Sequence, residues 1–133
     1  MKAVYAIIEI LKNTPAVVDK LGSNPMRLYP STIREETYPA GVLRSMPART
    51  APSFDGSGNM RIQSVDITLM GPAVDDLAEI AAAIETALDG VKNQTIAGVD
   101  VKEIRFIEGG ADDWNHQTQL KEYQTEFQIH FKK

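Results

Sequence analysis

The chain has no cysteine, and that absence alone excludes a disulfide framework, a thiolate zinc site and a cysteine nucleophile. Histidine is nearly absent as well, with two in 133 residues, and aromatic residues make up only 7% with a single tryptophan. Imidazole chemistry therefore has two places to sit, His116 and His130. No run approaches the ~18 consecutive apolar residues that a membrane-spanning helix needs. The opening MKAVYAIIEILKN has a lysine and a short apolar run. Glu9 interrupts that run and no small-residue cleavage site follows, so the segment reads as an amphipathic helix rather than a secretion signal. A cytoplasmic location is the expectation. A surplus of basic charge is also lacking, since 14 Lys and Arg face 18 Asp and Glu for a net charge of -4. Nucleic-acid binding by phosphate neutralisation needs a clustered positive excess. Arg27, Arg34, Arg44, Arg49 and Arg61 do gather in one stretch, and the expected outcome for such a gathering is solvated surface.

What is present is a hydrophobic share of 43%, enough for one continuous core in a single domain spanning 1–133. Val4, Ile7, Ile8 and Leu11 recur at helical spacing. Thr14-Pro15 then reads as a cap and first helical position, opening a short helix through Val17, Val18 and Leu21 that stops at Gly22. Prolines at 25, 30, 39 and 47 rule out a long helix in the next segment and leave short extended pieces around Leu28 to Tyr29 and Ala40 to Ser45. The stretch APSFDGSGN joins two extended segments as a hairpin loop would. Gln63, Val65, Ile67 and Leu69 alternate with polar residues as a half-buried strand does, and Gly71-Pro72 breaks it. Residues 73–88 carry the clearest helical stripe, Val74, Leu77, Ile80, Ala81, Ile84 and Leu88, with Asp75 and Asp76 in the first turn and Gly90 as the stop. Two strands follow, near 99–107 and 120–131, joined by the polar EGGADDWNHQTQ. In the last strand Tyr123, Thr125, Phe127, Ile129 and Phe131 point one way, and Glu122, Gln124, Glu126, Gln128 and His130 the other. The order of elements predicts an α+β two-layer sandwich, an antiparallel or mixed sheet of about four to five strands with helices on one face.

Acid-base and metal-ligating residues cluster at Glu108, Asp112, Asp113 and His116, with Trp114 among them. Oxygen and imidazole donors suit a divalent ion, but ADDWN is equally what an exposed turn looks like. The turn is the preferred reading, so no metal, cofactor or catalytic residue is assigned. Trp114 has two readings, a ring closing the end of the core or an exposed anchor for a partner. His130 lies on the polar side of its strand and is expected to be exposed, without an orienting carboxylate. The loop at Asp55 has oxygen ligands at calcium-loop spacing, but Met60 stands where the glycine should be and Asp66 at the twelfth place lies inside a strand. No phosphate loop, nucleophile elbow or zinc-protease pair is present. Nothing in the spacing nominates an enzyme.

Several phrases carry a resemblance to one family. They are AIIEILKN, AVVDKLG, RLYP with the later YPAGVL, the long run IQSVDITLMGPAVDDLAEIAAAIETALDG, and the terminal YQTEFQIHF. Together they cover most of the chain, and the layout resembles the small tail-completion, or tail-terminator, proteins of long-tailed bacteriophages. Tyr38, Pro39, Leu88, Asp89 and Gly90 fit recurrent places of that family. The resemblance implies a structural protein of a phage or prophage that self-assembles as a hexameric ring, caps the tail tube and joins it to the head. It implies partners that are other copies of the chain, tail-tube proteins and head-connector proteins, with DNA only as cargo passing through and no membrane. The location it implies is the host cytoplasm during assembly and then the virion tail. Rings need one patch of each copy to meet a different patch of the next. The expected contacts are the two polar loops, with Phe54, Asp55 and Asn59 in one and Asp112, Asp113, Trp114 and His116 in the other, because unpaired loop backbone and a tryptophan gain most from burial. A small-molecule-binding module or an unrecognised enzyme is the alternative from a different class. Within the phage, a neck or tail-tube subunit is the nearer alternative.

Overall fold

The apolar residues at the start of the chain recur every three or four positions, and they fold as α1 (Lys2–Lys12). This helix buries Ala3, Val4, Ala6, Ile7 and Leu11 and leaves Tyr5 and Glu9 in solvent. The computed structural model describes residues 2–22, 26–30, 38–50, 60–111 and 120–132. Thr14 stands at the N-cap of α2 (Pro15–Leu21), with proline in the first turn as expected. Its hydroxyl, however, donates back to the Ile10 carbonyl at 2.9 Å and does not cap α2. Asn13 Nδ2 likewise donates to the Glu9 carbonyl at 3.0 Å. The Asn13 amide thus serves a carbonyl in the last turn of α1, and the Thr14 hydroxyl adds a second donor to the Ile10 carbonyl, which also accepts the Asn13 N–H at 3.1 Å.

The extended pieces become β1 (Leu28–Pro30), β2 (Ala40–Ser45), β3 (Arg49–Thr50) and β4 (Met60–Gly71), followed by α3 (Val74–Leu88), β5 (Lys92–Ile96), β6 (Val99–Ala111) and β7 (Lys121–Lys132). All seven strands join one sheet in the order β1-β2-β4-β7-β6-β5, with β3 also paired to β4. β1 and β2 are parallel and the other pairings antiparallel, so the sheet is mixed. The expectation of four to five strands is corrected upward. β5 is the strand that local pattern did not reveal, because its residues KNQTI are exposed or nearly so and do not alternate. The polar connection after β6 is also shorter than expected, since Glu108, Gly109 and Gly110 belong to the strand.

The core lies between the helices and one face of this sheet. Val65, Ile67 and Leu69 of β4 and Thr125, Phe127 and Ile129 of β7 are buried on that face. Leu77, Ile80, Ala81, Ile84 and Leu88 of α3 pack over them, and α1 and α2 pack against α3. Gln63 points inward too, and its amide donates to the Met46 carbonyl at 2.7 Å. The Phe106 ring meets the Phe127 ring edge-on with centroids 5.6 Å apart.

The residues that carried the family resemblance do structural work. Leu88 is fully buried. Asp89 Oδ1 accepts the Phe106 backbone N–H at 2.9 Å. Gly90 has φ of +86° and its N–H donates to the Ile104 carbonyl at 3.0 Å. The helix end is therefore tied directly to β6. The Tyr38–Pro39 peptide is cis and leads into β2. Among the described residues, no helix is long and apolar enough to cross a membrane.

Candidate functional site

All seven expected contact residues, Phe54, Asp55, Asn59, Asp112, Asp113, Trp114 and His116, lie outside the described residues. Their anchors are described. The first segment enters from β3 and leaves into the start of β4, where Thr50 pairs with Arg61 and Met60 with Lys132. The second segment joins the far ends of β6 and β7, where Ala111 pairs with Tyr123 and Gly71 with Lys121. These anchor points are separated by the length of β4, roughly 36 Å at strand rise. The two segments thus leave the sheet at opposite ends.

The sheet face turned away from the helices carries the charges. Its register sets Arg44 of β2 opposite Asp66 of β4, Asp66 opposite Glu126 of β7, and Glu126 opposite Glu108 of β6. Three carboxylates therefore lie side by side across neighbouring strands with one guanidinium at the end of the row. Burial pushes the Asp66 carboxyl above its ordinary range, Glu108 adds to that, and Arg44 opposes it. Burial also raises Glu126, with Asp66 and Glu108 adding their repulsion. Further along the face Arg105 Nε lies 3.0 Å from Glu103 Oε1, and the hydrogen bond from Arg105 holds the Glu103 carboxyl low.

His130 corrects its expectation: it is half-buried rather than exposed. It stands on a central strand, in register with Ile62 on one side and Glu103 on the other. Burial pushes its pKa down, Arg105 adds to this and Glu103 opposes it. Its ring Nε2 lies 3.4 Å from Gln128 Oε1, not against a carboxylate. Among the described residues no three His, Asp or Glu side chains converge in a way that could hold a metal ion. What this face presents is a graded electrostatic surface.

The helix side presents a different feature. A groove of about 710 Å³ opens between the end of α1, the start of α2, the second half of α3 and β5. Ile10, Pro15, Ala83, Ala87 and Ile96 supply apolar walls, and Glu9 is the one charged side chain among its described lining residues. The raised carboxyls Asp66 and Glu126 belong to the opposite face of the sheet from the groove. Small residues leave the space: the run Ala81-Ala82-Ala83 places its first member in the core and the other two on the groove. That run was the signal available in the sequence. It could not be read as a groove without knowing that α1 and β5 come to flank α3.

No family model matches the chain, and no curated protein matches it. Its fold is similar to that of a chain in the solved structure described as the virion of a native gene transfer agent (GTA) particle, with a TM-score of 0.71 and 14% sequence identity, over 96% of this chain and 92% of that chain. At that identity the likeness is one of fold: a mixed sheet with its helices on one face, shared across nearly the whole of both chains.

Proposed function

We propose that this chain is a structural, self-assembling protein of a phage or prophage tail, one that completes the tail tube as a hexameric ring and joins it to the head. The observation that carries the reading is the likeness in fold, over nearly the full length of both chains, to a chain of a gene transfer agent virion. The sequence phrases that resemble tail-completion proteins support it independently.

The placement of the two loop segments fits the role. Segments that leave opposite ends of the same strands reach two different neighbours along an axis. A protein set between a tail tube and a head connector needs two such ends. Phe54, Asp55 and Asn59 serve one end in this reading, and Asp112, Asp113, Trp114 and His116 serve the other.

Native mass spectrometry of the purified protein over a concentration series tests the ring. A six-fold species, appearing as a ring with a central channel in electron micrographs, is the expected result. A strict dimer at every concentration, or a monomer that stays monomeric when tail tubes are added, would count against the reading.

A further inference from the structure

We infer that the groove between α1, α3 and β5 receives residues 44–49 of a second copy of this chain, so that neighbouring copies join through opposite edges of their sheets. The inference rests on the proposed ring and names the two patches that would form it. Four observations converge.

The first is position. β3 and the segment leading into it lie beside β4 towards one edge of the sheet, whereas β5 forms the other edge. Different patches on opposite edges make a heterologous contact, which is the kind that closes into rings.

The second is the character of the segment, RSMPAR. Met46 is 59% exposed, and Pro47 and Ala48 beside it are exposed as well. Its backbone is nevertheless held: the Met46 N–H donates to the Ser64 carbonyl at 3.0 Å and its own carbonyl accepts from Gln63. A rigid backbone with an outward apolar centre loses little entropy on docking. The groove offers the matching apolar walls.

Charge is the third. Residues 38–54 contain no Asp or Glu, and the apolar centre of the segment is flanked by Arg44 and Arg49, both exposed. The one charged side chain among the described lining residues of the groove is Glu9, and the α3 residues that line it, Ala82, Ala83, Thr86 and Ala87, are uncharged; on α3 itself Glu85 is unopposed by any Lys or Arg of that helix, while Glu79 faces Lys20 at 4.0 Å. A segment flanked by two arginines that meets Glu9 at the rim gains a complementary charge contact, which favours its orientation.

The fourth is the state of β5 itself. Lys92, Asn93, Gln94 and Thr95 are exposed, and among the described residues the strand pairs on one side alone, with β6. Edge strands in this condition recruit chain or require cover. A second copy seated in the adjoining groove supplies it.

The absence of cysteine makes the test clean. Within one chain, Met46 lies in the connection beside β4 and Ala82 faces the groove on α3 with β5 and α1, and a disulfide needs Cα atoms within about 7 Å; the mixture of the two single variants, in which no chain holds both thiols, reports the contact between copies alone. Under mild oxidation the Met46→Cys/Ala82→Cys variant is expected to form a covalent ladder ending at a closed ring. Met46→Cys mixed with Ala82→Cys should form a heterodimer, and Met46→Cys/Gln124→Cys, with its second thiol on the open sheet face, should form no ladder. A ladder no stronger than that of the Gln124 control overturns the inference. Native mass spectrometry of the cysteine-free parent then separates the two ideas: a six-fold species without the 46–82 link preserves the ring and removes this interface, whereas a dimer or monomer without the link removes both. Charge and bulk give a second, independent readout. Met46→Asp and Ala82→Arg should each lose the six-fold species, and mixing the two should restore heterodimers alone, since each retains one half of the contact. An unchanged oligomer in either variant, or a small-molecule adduct displaced by Ala82→Arg with no change of oligomer, overturns the inference.

Discussion

Gly41 sits where the sheet has no room for a side chain. It pairs with Leu28 of β1 and Leu69 of β4, and a Cβ there would meet Leu28 Cδ1 at 2.7 Å and Leu69 Cδ2 at 3.0 Å. Both leucines are buried, so neither has free space to swing into. Gly41→Ala is expected to destabilise by about 1–3 kcal/mol through overpacking, read as a lower urea midpoint with an unchanged slope. The carboxylate row gives a prediction of the opposite sign. Glu126 is flanked by Asp66 and Glu108, and its pKa is raised in the folded chain. A carboxyl with a raised folded pKa favours folding while protonated and loses that contribution as pH rises through the folded value. Arg44 relieves Asp66 at the far end of the row but stands one strand further from Glu126. Glu126→Gln should therefore stabilise the protein at pH 7 by about 0.2–1 kcal/mol, the range for a cross-strand charge pair. The gain should shrink as pH falls towards the ordinary glutamate range, where the parent protonates as well. Thermal melts of both proteins across that range would check it, and a gain that persists unchanged in acid would sink the explanation.

At the scale of elements, the hairpin between β5 and β6 turns on two residues, Ala97 and Gly98, with φ of 51° and 78°. Both values are left-handed, as tight hairpin turns demand, and the usual occupants are Asn-Gly. Alanine at such a φ is strained by about 1–2 kcal/mol, which asparagine partly escapes. Ala97→Asn is expected to stabilise by about 0.5–1 kcal/mol, measured by chemical denaturation. The same turn explains why β5 was illegible. IAGV lacks the Asn-Gly signal, and the strand before it is polar up to its last residue, Ile96. α3 and β7 were legible for the contrary reason: each keeps one face in the core along most of its length, so burial imposes a strict period on its residues. Helix ends were legible as far as a special backbone required them, as at Gly90. They were not where a side chain had a choice of partner, as with Thr14 and the Ile10 carbonyl.

At the scale of the whole molecule, charge is distributed unevenly although the net value is small. The acids of α3 lie on the helix side, and Arg44 and Arg49 lie at or near the β2–β3 edge. If copies join through these regions, assembly should weaken with salt, because exposed charges are screened beyond about 10 Å at 0.1 M and beyond about 3 Å at 1 M. Sedimentation velocity over a salt series is expected to show the oligomer dissociating as ionic strength rises. An oligomer that is indifferent to salt would place the joining surface elsewhere, on apolar contacts alone. The candidate contacts in the two polar loops rest on turn chemistry and on a tryptophan with two readings, and they lie outside the described residues. Loop composition records the turn a segment makes, whereas its partner depends on which end of the sheet it leaves.

By itself the sequence determined the local elements and their inward faces, because hydrophobic period is a property of consecutive residues and survives without knowledge of the fold. It also determined what chemistry is unavailable, since a chain without cysteine cannot acquire a thiolate by folding. The tertiary structure decided the size of the sheet, the row of Arg44, Asp66, Glu126 and Glu108, and the groove between α1, α3 and β5. Each of these brings together residues from segments far apart in the chain. Such neighbours are set by strand register and by the packing of helices over the sheet, and neither leaves a signature in the spacing of adjacent residues.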